Sequence, residues 1–196
     1  MAGGKKQWVL GVDKLDDANW AGTAKSEECV LILTEGDSAK SLADAGIETL
    51  TRDKYGSFPL KGKMLNVREA NTKQIMENPE IENILKITGL KIGTKYTDTW
   101  QLWYGSIMIM ADQDNDGSHI KGLFLNFIHH FWPELIKMNT FVKEFVTPIL
   151  KASKGREVHS FFTIHEFKSW ADTKPDIHTW KVKYYKGLGT SSNEEA

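Results

Sequence analysis

Two short apolar runs, each breaking into an acidic, glycine-bearing turn and then a helical pattern, constrain this chain more than any other feature. The first is Cys29-Val30-Leu31-Ile32-Leu33, followed by Thr34-Glu35-Gly36-Asp37-Ser38. The second is Ile107-Met108-Ile109-Met110-Ala111, followed by Asp112-Gln113-Asp114-Asn115-Asp116-Gly117. Brief aliphatic runs of this kind read as strands buried on both faces, and a helix after each implies a parallel sheet with helices packed on it. The expected fold class is therefore α/β, with a central, mainly parallel sheet flanked by helices. In such sheets the polar site lies at the carboxyl ends of the strands, and both acidic clusters fall there.

The rest of the chain arranges itself around those two units. Its 196 residues are enough for one substantial core. Residues 1–28 are polar and irregular and read as a surface arm; residues 29–196 read as the domain. After Gly36 a short helix is expected from Ser38 to Ala45, stopped by Gly46. Residues 51–70 carry turn signals and the basic segment from Phe58 to Arg68. Helices are expected over 71–78 and 80–88, separated by Pro79 and ended by Gly89, and then a polar surface excursion over 90–104. A long helix should begin near Ser118, with apolar positions 120, 123, 124, 127, 128 and 131 on one face. Pro133 either kinks it or precedes a final turn. Beyond it, 141–151, 158–164 and 179–185 read as strands and 165–171 as a short helix, which together make a C-terminal strand extension.

Charge and cysteine content narrow the class. The net charge is −1, and Glu35, Asp37, Asp112, Asp114 and Asp116 contribute −5 of it, which leaves about +4 elsewhere. That split suits a cation site on a mildly basic body. Cys29 is the only cysteine, so an internal disulfide is impossible, and its apolar setting reads as a buried, inert thiol in a reducing compartment. No apolar run is long enough to span a membrane, and no secretory leader is expected.

Asp112, Asp114 and Asp116 alternate along a turning loop, a pattern that can offer oxygen ligands to a hard divalent cation. If the two strands are neighbours, Glu35 faces this loop, and the set can hold one or two Mg²⁺ ions against a phosphodiester. A solvated acidic loop is the plain alternative. A calcium loop of the EF-hand kind is excluded, because its twelfth position would be Leu123 and a strand enters it. Glu35 either interacts with amides at the helix start or acts as a general acid–base. Lys61, Lys63, Arg68, Lys181, Lys183 and Lys186 are candidate phosphate contacts or members of a solvated face. His119, beside the acidic loop, is either near a phosphate or an ordinary polar residue. The His129-His130 pair lacks further ligands at metal-site spacing and reads as structural.

Four blocks in order resemble the Toprim domain of the type IIA DNA topoisomerases. They are Leu33-Thr34-Glu35-Gly36-Asp37-Ser38-Ala39-Lys40, the run from Pro59 to Ala70, the run from Asp112 to Gly122, and Tyr184-Tyr185-Lys186-Gly187-Leu188-Gly189-Thr190-Ser191. Text between them, such as Lys14 to Asn19 and Asn126-Phe127-Ile128-His129-His130, is closer to the eukaryotic type than to gyrase or topoisomerase IV.

The resemblance implies a Toprim, Rossmann-like fold and a Mg²⁺-binding catalytic module, with Mn²⁺ or Ca²⁺ able to substitute in binding. Glu35 and Asp112 would hold one ion, Asp112 and Asp114 a second, and Asp116 would support the cluster. Lys61, Lys63, Asn66, His119 and Lys186 would contact DNA, while Gly36, Asp37 and Lys61 would line the cleft that topoisomerase poisons enter. It further implies double-stranded DNA as partner, a homodimeric parent enzyme in the nucleus, and winged-helix and ATPase domains of that same enzyme. The nucleophilic tyrosine and the ATP site would lie on those domains, so the chain alone is expected to be inactive. A stand-alone Toprim nuclease or primase-like enzyme, or a non-catalytic DNA-binding scaffold, is the alternative. Two departures are visible: Lys61 stands where relatives carry Arg, whose planar fork lysine does not reproduce, and Trp20 and Trp103 are unusual at their positions.

Overall fold

The computed structural model describes residues 11–185 together with 187 and 188. Strand β1 (Val30–Glu35) lies between β2 (Tyr55–Leu60) and β3 (Ser106–Met110), and β4 (Val142–Glu144) pairs with the outer side of β3. All three pairings are parallel. Alternation along the strands splits the side chains between two cores, as a period of two requires. Leu31, Leu33, Ile107 and Ile109 enter the larger core; Ile32 and Met110 enter a smaller one with Ala39, Leu42, Ala43 and Ile47 of helix α1 (Gly36–Leu50). The parallel sheet is thus covered on both faces, as its apolar strands predicted.

Helix α1 runs through Gly46 instead of stopping there. A lone glycine costs a helix about 1 kcal/mol, and burial of Ile47 in the next position, at 3% exposure, is worth more, about 2 kcal/mol. Strand β2 was not expected, because Gly56 and Pro59 both argue against a strand. It lies at the sheet edge, where a proline without an N–H is tolerated. Gly56 is needed because a side chain there would press on the Tyr104 hydroxyl and the Asp16 carbonyl.

Helices α2 (Thr72–Met76) and α3 (Pro79–Thr88) follow the sequence closely. Pro79 occupies the first turn of α3, where a missing N–H costs nothing, and Gly89 ends the helix at φ 77°. Helix α4 (Asn115–Phe131) buries Ile120, Leu123, Phe124, Phe127 and Ile128, and Phe131 is half-buried. It begins three residues before Ser118 because Asp114 caps it, accepting from the Gly117 amide at 2.8 Å. Trp132 separates it from α5 (Pro133–Lys137).

Two segments expected at the surface are built into the larger core. Between 90 and 104 there is no helix or strand, yet Leu90, Tyr96, Leu102 and Tyr104 are buried. In the expected arm, Val12, Ala18 and Ala21 are buried, and Asp16 and Ser57 exchange backbone hydrogen bonds at 3.0 and 2.8 Å. The Tyr104 hydroxyl donates to Asp17 and accepts from the Ala18 amide. Lys40 ties Asp16 to Asp44, and Ser57 donates to Asp44.

The stretch 141–151 divides between two sheets. β4 belongs to the first, and β5 (Leu150–Lys154) is the centre of a second, antiparallel between β6 (Glu157–Phe161) and β7 (Lys181–Tyr184). Helix α6 (Ile164–Asp172) sends Phe167 and Trp170 against a small core of Leu150, Ala152, Phe161 and Trp180.

Candidate active site

β1 and β3 deliver Glu35 and Asp112 side by side, because their parallel register places Thr34 opposite Met110. The Asp112 amide donates to Glu35 Oε2 at 3.2 Å. Asp112 is oriented in turn by the Leu188 amide, which donates to its Oδ1 at 2.7 Å. Gly187 is packed so closely that a Cβ would lie 2.7 Å from Asp112 Oδ2, and a side chain at Gly117 would strike the Asp112 carbonyl. Two glycines therefore make room for this aspartate, one against its carboxylate and one against its backbone. Asp114 faces the helix start as its cap, and Asp116 reaches Lys63 at 2.8 Å.

Electrostatics follow from this crowding. Burial raises the Glu35 carboxyl above its usual value of 4.5; the hydrogen bond from the Asp112 amide opposes that, and the negative charges of Asp112, Asp114 and Asp116 add to it. The hydrogen bond and charge of Lys63 hold Asp116 below its ordinary range, with a smaller contribution from His119.

A cleft of about 440 Å³ opens beside Glu35 and Asp116, with Gly36, Asp37, Lys61 and Lys63 also in its wall; Asp112 and Asp114 stand outside its lining. Gly36 turns there at φ 79°, which only glycine adopts without strain. Asp37 points to Lys14 at 2.7 Å and not into the carboxylate cluster. Lys61 is anchored through its backbone amide, which donates to Glu80 Oε1 at 3.0 Å. His119 is exposed on the second turn of α4. Asn66 stands apart from the cleft wall, its Oδ1 accepting from the side-chain Nδ2 of Asn126 at 2.9 Å. Lys186 lies outside the described residues.

Lys14, Glu80 and the Gly187–Leu188 backbone belong to the site without having been read from the sequence as parts of it. For Gly187–Leu188 the signal was present, since the Gly-Leu-Gly run marks a close backbone approach. For Lys14 and Glu80 no local signal exists; tertiary pairing alone brings them in.

The donor set suits a hard divalent cation in part. Among the described residues, no three carboxylates, imidazoles or thiols converge closely enough to hold an ion alone. Glu35 and Asp112 share one corner, and one or two carboxylates are what Mg²⁺ takes when water and substrate phosphate complete its shell. The residues fit that ion as an open site and not as a closed cage.

A parallel α/β domain with paired carboxylates across adjacent strand ends is the class that fold and site define. The family model described as "Toprim domain" matches residues 30–147, and one described as "C-terminal associated domain of TOPRIM" matches 145–196. The chain belongs to the Toprim family. It is 58% identical over 195 residues to DNA topoisomerase 2-alpha of Rattus norvegicus and 57% identical over 195 residues to DNA topoisomerase 2 top-2 of Caenorhabditis elegans. Each alignment covers 98% of this chain and 13% of the relative. The fold superposes with a TM-score of 0.90, at 58% identity, on the Plasmodium falciparum topoisomerase II DNA-binding, cleavage and re-ligation domain, covering 94% of this chain and 25% of that one. The seam between the two family models, near residue 145, falls where the chain passes from the first sheet to the second.

Proposed function

We propose that this chain is the Mg²⁺-binding module of a type II DNA topoisomerase, assisting reversible double-strand cleavage by a tyrosine carried on a separate domain. The observation that supports it most is the meeting of Glu35 with the Asp112 amide across the ends of β1 and β3, beside the Lys61–Lys63 loop. Glu35 and Asp112 would hold the ion nearer the scissile phosphate and Asp112 and Asp114 a second, with Asp116 supporting the cluster. When bound, the ion supplies charge stabilisation to the transferring phosphoryl group. Glu35, its carboxyl raised by burial and neighbouring anions, is suited to give and take the proton at the leaving hydroxyl. Lys61 and Lys63 line the same cleft and would place the DNA backbone there, with Asn66, His119 and Lys186 as further contacts. Gly36, Asp37 and Lys61 form the wall against which a flat cleft-binding drug would rest. Through its parent the module would act in the nucleus on double-stranded DNA, within a homodimer driven by an ATPase domain.

The test is a Mg²⁺ titration followed by backbone amide NMR, with an Asp112→Asn, Asp114→Asn variant as control. Shifts grouped at residues 35–38 and 112–118, lost in the variant, are expected. Shifts confined to 112–118, or equal in both proteins, would overturn the shared site. Plasmid nicking by the chain with Mg²⁺ alone would point instead to a stand-alone nuclease.

A further inference from the structure

Among the described residues, Lys14 is the one non-glycine residue with a positive φ, at 65°. That left-handed conformation costs stability in a residue with a side chain, and such strain persists where its surroundings over-determine it. Here they do. Val12 is buried before the turn; after it Leu15 packs on the larger core, and Asp16 is bound by the Ser57 backbone and by Lys40. The turn brings Lys14 into the wall of the cleft with Gly36, Lys61 and Lys63. Its ammonium meets both Asp37 oxygens, at 2.9 and 2.7 Å. That pair does not account for the strain, because both side chains are more than half exposed and an exposed pair contributes little.

We propose that Lys14 is a further contact of the cleft for the phosphate backbone of duplex DNA, held ready by Asp37 until DNA arrives. Lys63, which the DNA-directed reading already places on the duplex, is held in the same way. Its ammonium meets the exposed Asp116 at 2.8 Å in the same wall. Each lysine is thus kept at the cleft by a carboxylate in contact with water, a weak pairing that a phosphate oxygen can replace. Lysine serves phosphate as a flexible point charge. Such contacts fix the position of a duplex without reading its sequence. Lys14 comes from the turn before β1, and Lys61 and Lys63 come from the loop after β2, so DNA in the cleft is held from two separate segments. The strained turn is the cost of bringing the first of these to the wall. The inference rests on the DNA-directed reading of the cleft and adds one contact to it.

The experiment measures binding of the whole chain to a fluorescent duplex by anisotropy, from about 50 to about 200 mM KCl. Lys14→Asn is expected to flatten the slope of log K against log salt by about 0.9, the share of one phosphate contact. Asparagine and glycine both accept the left-handed turn, so Lys14→Asn and Lys14→Gly should stay folded and lose the contact alike. Lys14→Arg should keep the parent slope. An Asp37→Asn background separates a phosphate contact from a mere partner for Asp37: there Lys14→Asn should flatten the slope by the same amount. An unchanged slope in Lys14→Asn and Lys14→Gly, a flattened one in Lys14→Arg, or a flattening that vanishes in the Asp37→Asn background each overturns the proposal. So does equal flattening by Lys168→Gln on the exposed surface of α6, which would assign the effect to net charge. Lys63→Gln keeps the two readings apart. If it flattens the slope and Lys14→Asn does not, the Lys14 contact fails alone. If neither does, or the unsubstituted chain shows no salt-dependent binding, the DNA-directed reading fails with it.

Discussion

Glu35 stands half-buried where β1 ends, with its carboxyl raised by burial and by three nearby aspartates. A folded-state value above the unfolded one means that the folded chain prefers the neutral acid. The cost of ionising it is absent below the ordinary value of 4.5 and grows as pH rises through the folded-state value. Ionising Glu35 therefore works against the metal-free fold. A Glu35→Gln variant, which keeps an oxygen for the Asp112 amide, should melt higher than its parent at about pH 7 and equally at about pH 4. Thermal unfolding in a chelator at both pH values checks this; a variant no more stable at the higher pH would show that Glu35 carries no such burden. The importance of Glu35 was legible from its place between a strand and Gly36. Its partner in the Asp112 amide was not, because the pairing of β1 with β3 joins residues 77 apart.

Helix α4 shows where periodicity suffices and where it stops short. The apolar positions read from the sequence are the ones that pack, since an amphipathic face has a single way to bury itself. Phe124 is fully buried, whereas its neighbour Leu125 is 42% exposed. Phe124→Ala should cost about 3–5 kcal/mol and Leu125→Ala no more than about 0.5 kcal/mol, read by urea denaturation. Similar losses at the two positions would mean that the helix face is misplaced. The start of α4 was read too late because Asp114, counted as a metal ligand, also caps the helix. Strand β2 was missed for a related reason. Gly56 and Pro59 deny a strand by local propensity, and only the edge position and the close approach of Tyr104 make them acceptable.

At the scale of the molecule, two sheets of different kind share one chain, each with its own core. The C-terminal sheet depends on aromatic packing, with the Trp170 ring 5.0 Å from both Phe161 and Trp180. Trp170→Ala should release amide protection across β5, β6 and β7 while leaving β1 and β3 protected, as hydrogen exchange followed by NMR would report. Equal loss in both sheets would show that they unfold as one unit. The tail was legible as strands, but not its division at residues 145–149, where a stretch read as one strand leaves the first sheet and enters the second.

The sequence by itself determined the parallel α/β class, the helix faces, the two acidic turns and the family to which they belong. Each of these depends on neighbours within a few residues of one another, where hydrophobic period and turn chemistry act directly. Tertiary structure alone decided that residues 11–28 and 90–104 enter the core. It also decided that Leu188 holds Asp112 and that Lys14 meets Asp37. Those facts depend on strand order and register, which are set by how whole faces bury against one another.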